Sequence, residues 1–363
     1  MAYTIAELGK ALGVPAVGDT AMRITRLSEP ASAGPDDLAL AMTPKFAQAI
    51  PEGDARAALL WAEADWQALG LRAALMPERP RYAMSSLTEM LDQGQGFAPG
   101  IHPSAVVDAA VDIGDNVSIG PFCVISAGAR IGDGSVIGPH CFIGWDSTLG
   151  QQAFLREHVS IGARVSIGDR FIAQPGVRIA GDGFSFVTPE KSAVEAARAT
   201  LGDQGDAKAQ GWHRIHSLGS VTIGDDVEVG ANSTIDCGTV RDTRVGNGTK
   251  IDSLVQVGHN AVVGDNTLLC AQAGVAGSSV IGNNVVLGGQ TGVSDNIFVG
   301  DGVIVGGGSK VLSNVPAGRT MLGYPATAMD RQMDIYKAQR RLPKLLRDVA
   351  ALRKAVFKSD KDD

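Results

Sequence analysis

From Ile101 an aliphatic side chain returns every six residues: Ile101, Val107, Ile113, Ile119, Ile125, Ile131, Ile137, Ile143, Leu149, Leu155, Ile161, Ile167, Ala173 and Ile179, with only Ala173 outside the Ile, Val and Leu set. The frame stops near Gly181 and resumes at Ile223, Val229 and Ile235. It then slips by four residues and runs from Val245 to Val311, giving 29 hexapeptides in all. Period six fits neither an amphipathic helix, at 3.6, nor a simple strand, at 2. It fits short parallel strands joined by turns, with one inward aliphatic side chain per face. Three such faces, one hexapeptide each, close a coil, so the chain is expected to form about ten coils. A single coil has nowhere to bury its apolar face, so stacking at ~4.8 Å supplies the core.

The flanks follow other patterns. In residues 1–98, Thr4-x-x-Glu7 has the form of a capping box opening a short helix. Apolar runs at 57–62 and 72–76 read as strands, and 85–91 as another short helix, so a small α/β domain is predicted, with 96–100 as its exit linker. The repeat breaks over 183–220, a polar stretch holding Gly202, Gly205 and Gly211, which reads as an excursion loop with a helical turn near 189–199. The prism itself is expected over 99–316. In a C-terminal extension over 325–363, Leu342, Leu345, Leu346, Val349, Leu352 and Val356 recur at helical spacing. Pro343 fits a first turn, so two helical pieces are predicted there.

Composition narrows the function. The net charge of −7 argues against nucleic acid as the main partner, because neutralising phosphates needs clustered Lys and Arg. The charge is uneven: from Arg331 onward the chain carries +5. Cys123, Cys141, Cys237 and Cys270 are scattered without C-x-x-C spacing, which predicts small buried thiols rather than a zinc site or a disulfide framework. The sequence holds no apolar run of ~18 residues and no basic-then-apolar start, so a cytoplasmic protein without a transmembrane segment is expected. No glycine-rich dinucleotide or phosphate loop is present.

Among the six histidines, His102 reads as structural, and His213 and His216 fall in the excursion loop. His140 and His158 are three hexapeptides apart and would stack on successive coils, but no third ligand stands at matching phase, so no metal site is expected. His259 lies in Gln256-Val257-Gly258-His259-Asn260, a polar spot in an apolar repeat. On the residues alone, an outward solvated imidazole and a functional one are both open.

The segments Ile235-Asp236-Cys237-Gly238, Asp242-Thr243, Gly246-Asn247-Gly248, Lys250-Ile251-Asp252 and Gln256-x-x-His259-Asn260, with Gly181-Asp182-Gly183-Phe184, closely resemble the UDP-3-O-acylglucosamine N-acyltransferases of lipid A biosynthesis, within the hexapeptide-repeat acyltransferases. The order of parts agrees along essentially the whole chain. The resemblance implies a left-handed parallel β-helix; the handedness comes from the resemblance, since parallel crossovers are otherwise right-handed in ~98% of cases. It implies that His259 is the general base and that the backbone at Gly277, one coil on, donates to the oxyanion. Asp252 is the carboxylate expected to orient the imidazole or contact the donor. Asn296 stands where the family often has a second histidine and cannot titrate near neutrality. Cys237 replaces the usual Arg, and Ser253 stands where Asn is common.

In the N-terminal domain, the stretch from Leu38 to Phe46 resembles the family's uracil-binding stretch. Phe46 matches the stacking aromatic, Leu40 and Thr43 fall where an aromatic and an Asn are common, and Lys45 completes the expected substrate contacts. On the residues alone, this is equally a loop packing Phe46 into a small core. Lys337, Arg340, Arg341, Lys344 and Arg347 form either a solvated helix face or, as the resemblance implies, a docking patch for an acidic acyl-carrier protein.

The expected enzyme is thus a homotrimeric acyltransferase moving a 3-hydroxyacyl chain from acyl-carrier protein onto the 2-amino group of UDP-3-O-acylglucosamine. It needs no cofactor of its own, since phosphopantetheine arrives on the carrier. Three rivals remain: an acetyl-CoA-dependent enzyme acting on another nucleotide sugar, a metal-dependent hydratase using His140 and His158, and a non-catalytic solenoid.

Overall fold

The computed structural model describes residues 2–200, 202–323 and 326–356. The chain divides after Gly96 into two compact units. In the first, Ile5–Leu12 opens on the expected capping box, with Thr4 and Glu7 bonding each other's backbone, and closes on Gly13 in the left-handed region. A five-stranded sheet runs in the order Ala16–Gly18, Ala73–Leu75, Ala57–Leu59, Asp37–Leu40, Arg26–Ser28. Its three central strands are small and fully buried, as a sheet covered on both faces requires. Ile5, Leu8, Ala83 and Leu87, from Ile5–Leu12 and Pro80–Leu91, fill one side. Asp37 is buried at the sheet edge and pinned there by Arg26 at 2.8 Å, Ser28 at 2.9 Å and the Gly34 amide at 2.7 Å. Those donors hold its carboxyl down to about 2.

The second unit is a triangular parallel β-helix whose three faces carry ten, ten and nine strands. Wherever the repeat is unbroken, each strand pairs with the one three hexapeptides on, as in Ile119↔Ile137, Ile125↔Ile143 and Ile131↔Leu149. The inward positions form one continuous core of Ile, Val, Leu, Ala and Cys from Val117 to Val315. At one corner Asp and Asn side chains accept the backbone amide one layer earlier, as Asp133 does from Asp115 and Asn283 from Asp265. At another corner Phe122, His140 and His158 stack with ring centroids 5.1 and 5.0 Å apart.

All interruptions of the repeat fall at the third corner. The excursion leaves after Arg178–Gly181 and returns at Val221–Ile223; the four-residue slip follows Thr234–Asp236, one layer on. The excursion forms a hairpin of Phe186–Val187 with His213–Arg214 and a helix, Ala193–Thr200.

The C-terminal extension departs from expectation. Met329–Val356 is a single helix with Pro343 inside it, not two pieces. Pro343 removes only the hydrogen bond to the carbonyl four residues back, and on so exposed a helix water satisfies that group. Residue 325 and residues 357–363 of the expected extension lie outside the described residues.

Candidate active site

His259 follows strand Gln256–Val257 at the interrupted corner. It is the first residue of its turn, and the same position in other turns is occupied by Pro121, Pro139 and Pro175. Proline is tolerated there because the amide points out of the coil and joins no ladder. Gly277 occupies this position one layer beyond His259, and among the described residues its N–H has no acceptor. The imidazole lies directly against it: a Cβ at Gly277 would sit 2.7 Å from both Nε2 and Cε1. On the other side, a Cβ at Gly183 would sit 2.7 Å from the histidine's own Cβ. Two glycines in separate layers therefore make room for one ring.

The slip fixes the protonation of that ring. Asn260 is buried, and its amide orientation is set by backbone groups of residues 238–242. Its Oδ1 accepts the Thr239 amide at 3.1 Å, and its Nδ2 donates to the Arg241 carbonyl at 3.0 Å. The same Oδ1 lies 3.0 Å from His259 Nδ1. An oxygen there requires Nδ1 to carry the proton, which leaves Nε2 with its lone pair beside Gly277. The slip loop is itself tied down by Asp242, which accepts from the Ser220 amide and Thr222 Oγ1, each at 2.8 Å.

Asp236 and Gln256 complete the floor, with Gln256 Nε2 donating to Asp236 Oδ2 at 2.7 Å and its Oε1 accepting from Thr234. Burial pushes the Asp236 carboxyl above the usual range, against the pull of Gln256 and His259. These groups line a cleft of about 640 Å³ with Asp182, Phe184, Arg198, Gly258, Gly277, Ser278, Asp295 and Asn296. Arg198, from the excursion helix, pairs with Asp295 at 3.6 Å, and Arg214 pairs with Asp182 at 3.7 Å.

Of the expected site residues, His259, Gly277 and Asn296 come together here. Asp252 does not join them. It lies at the corner preceding strand Gln256–Val257, accepts the Ser253 and Ala271 amides at 2.7 and 3.0 Å, and lines a separate depression with Lys250 and Cys270. The group that orients the imidazole is Asn260, and the nearby carboxylate is Asp236. In the N-terminal unit, Phe46 is 52% exposed rather than packed in the core, in the short helix Pro44–Ala47 with Lys45 and after Thr43. Leu40 instead packs partly against the core. Lys337, Arg340, Arg341, Lys344 and Arg347 are all exposed on Met329–Val356. The His140 and His158 rings stack with an 11° interplanar angle, and no group of three potential metal ligands occurs among the described residues.

The model of the bacterial transferase hexapeptide (six repeats) matches residues 101–144 and 242–277, and that of the hexapeptide repeat of succinyl-transferase matches 220–253. With the stacked six-residue strands, these matches define a left-handed parallel β-helix of the hexapeptide-repeat transferase class. A solved Arabidopsis UDP-N-acetylglucosamine acyltransferase shares the fold over 73% of this chain and 85% of its own, with a TM-score of 0.52 and 22% identity. Much nearer in sequence is a UDP-3-O-acylglucosamine N-acyltransferase of Ruegeria pomeroyi, 66% identical over 99% of both chains. Enzymes of the same name from Paracoccus denitrificans and Pseudomonas aeruginosa are 59% and 42% identical over 74% and 75% of this chain and 74% and 71% of their own. The chain belongs to the UDP-3-O-acylglucosamine N-acyltransferase family, and it is an acyltransferase.

Proposed function

We propose that this chain transfers a 3-hydroxyacyl group from the thioester of acyl-carrier protein to the 2-amino group of UDP-3-O-acylglucosamine, a step of lipid A biosynthesis. The observation that carries the reading is a single imidazole whose Nδ1 is locked as a donor by Asn260, leaving Nε2 as the base beside the unpaired amide of Gly277. As the neutral amine attacks the thioester carbonyl, Nε2 takes the proton released by C–N bond formation. The Gly277 N–H faces the position where the carbonyl oxygen gains charge, and the glycine lets that oxygen approach the main chain. Collapse of the adduct breaks the C–S bond, and the imidazolium returns its proton to the departing thiolate. Asp236 supplies negative charge to the imidazolium while Gln256 holds the carboxylate in place. Each proton and charge movement is carried by the chain's own groups, with no metal or redox cofactor.

Phe46 offers an exposed face for stacking on uracil, with Thr43 and Lys45 as polar contacts. The basic face of Met329–Val356 suits an acidic carrier protein, and Val106, Val124 and Phe142, exposed on one prism face, suit a second copy in a homotrimer. The deciding experiment offers the same 3-hydroxyacyl chain on carrier protein and on coenzyme A, with UDP-3-O-acylglucosamine as acceptor and mass detection of product. The expected outcome is an amide product formed at least about tenfold faster from the carrier protein. Equal use of coenzyme A, or preferential acetyl transfer, would install the acetyltransferase reading instead.

A further inference from the structure

The excursion builds a second cavity of its own. Phe184, Phe186 and Val187 from its first limb, Ser192, Val194, Glu195 and Arg198 along its helix, and Trp212 from its return surround about 680 Å³. That volume falls in the ~300–1,000 Å³ range of small-molecule sites. Phe184, Val187, Val194 and Trp212 are all 40% or more exposed, yet they converge on one concavity instead of dispersing over the surface. Apolar side chains left facing water around a hollow mark a binding surface. Phe184 meets Phe186 edge-on at 5.0 Å, and Arg214 lies over the Phe186 ring at 5.0 Å, so the aromatic wall is held in place.

Two residues connect this cavity to the catalytic cleft. Phe184 and Arg198 line both. The root of the excursion also touches the reacting centre, since Gly183 packs on His259. A molecule reacting at His259 therefore has an apolar recess beginning beside it, with its mouth framed by an aromatic ring and by the Arg198–Asp295 pair. We propose that this cavity is a subsite for a fatty acyl chain of a reactant at His259, so that residues 182–219 act as a chain-selecting element of the enzyme.

The inference rests on the acyl-transfer reading, in which both reactants carry an aliphatic chain, and it leans toward the acceptor's. In that reading the thioester carbonyl sits at Gly277, one layer beyond His259. The amine then lies toward the side where Gly183 and Phe184 leave the prism, and the chain next to that amine runs into the excursion. Donor and acceptor series with stepwise shortened chains tell the two sources apart.

The test uses the full-length protein and two readouts. In the first, a mid-chain brominated fatty acid is titrated while tryptophan fluorescence is followed. Quenching is expected in the native protein, is expected to vanish in Trp212→Phe, and is expected to need roughly tenfold more probe in Val194→Phe, which fills the recess. In the second, Val194→Phe is expected to raise KM about tenfold for the full-length acceptor and to leave a short-chain acceptor unchanged, while Val194→Ala does not discriminate against long chains. Val194 lies on an exposed helical face, so these variants do not challenge the core.

Absence of Trp212-dependent quenching, equal effects on long and short chains, or sensitivity to the donor series alone would overturn the proposal as stated. A changed subunit number for Val194→Phe by light scattering would assign the lining to a contact between copies and overturn it equally. Should the native protein transfer no acyl group, the acyl-transfer reading fails on its own, and the quenching titration still reads the cavity directly.

Discussion

The layers from Val106 to Ile179 and those from Gly181 to Asn260 share one repeat and one core, yet only the second stretch carries chemistry. In the first, every layer is three hexapeptides long and each inward position stacks on its like, as Ile125 does on Ile143. In the second, Ile167 pairs with Ile223 and Ile235 with Val257, so the long excursion and the short slip both leave the stack at one corner without disturbing the strands on either side. The extra residues supply what a regular coil lacks: the Gly183 floor under His259, the Thr239 and Arg241 groups that orient Asn260, and the helix bearing Arg198. Regular layers provide the frame, and the departures from regularity provide the site.

That contrast is most directly broken at His259. His259→Ala is expected to lower kcat by about 10³ while circular dichroism and thermal unfolding stay native-like, since the side chain lies outside the core. Near-native turnover would remove the imidazole from the mechanism. Gly277→Ala comes next: the methyl needs the space now 2.7 Å from Nε2, so a loss of about 10² in kcat is expected with little change in stability. Ile143→Ala, in the regular stretch, is expected to do the reverse. It should cost about 2–5 kcal/mol in urea unfolding while leaving turnover per folded molecule intact.

Asn260→Ala sits between the two classes, because it frees the Nδ1 tautomer and strands the Thr239 amide. A roughly tenfold drop in kcat with about 1–3 kcal/mol of destabilisation is expected. A drop in stability alone would make Asn260 purely a packing residue.

The smallest effect concerns acid. Asp37 is held at about 2, below its ordinary 3.8, so its contribution to stability is fully present above roughly pH 4 and is lost as the pH falls through about 2. Fluorescence of Trp61 and Trp66 should therefore report loosening of the N-terminal unit in that window. Asp37→Asn should flatten the acid dependence there.

The repeat was legible because each inward position must be aliphatic and each layer has a fixed length, so Ile119, Ile137 and Leu155 announce themselves. His259 and Gly277 were legible through the same count of three hexapeptides per layer. Asp252 misled because sequence proximity ignores corners: seven residues upstream of His259 is the preceding corner of the same coil. The relevant carboxylate, Asp236, lies one layer back across the slip, where the layer is longer than the repeat predicts. Counting that longer layer would have pointed to it. The role of Asn260 was not legible, because its partners Thr239 and Arg241 follow a non-repeating path. Pro343 misled because the rule that proline breaks a helix presumes a buried carbonyl, and this helix is bathed in water.

A loop that departs and rejoins at a single corner imposes no length requirement on the rungs above and below. The segment rooted at Gly181 and Val221 thus behaves as an exchangeable cassette. Its size and lining are free to drift or to be transplanted, and the ladder that positions His259 needs no re-registration when they do.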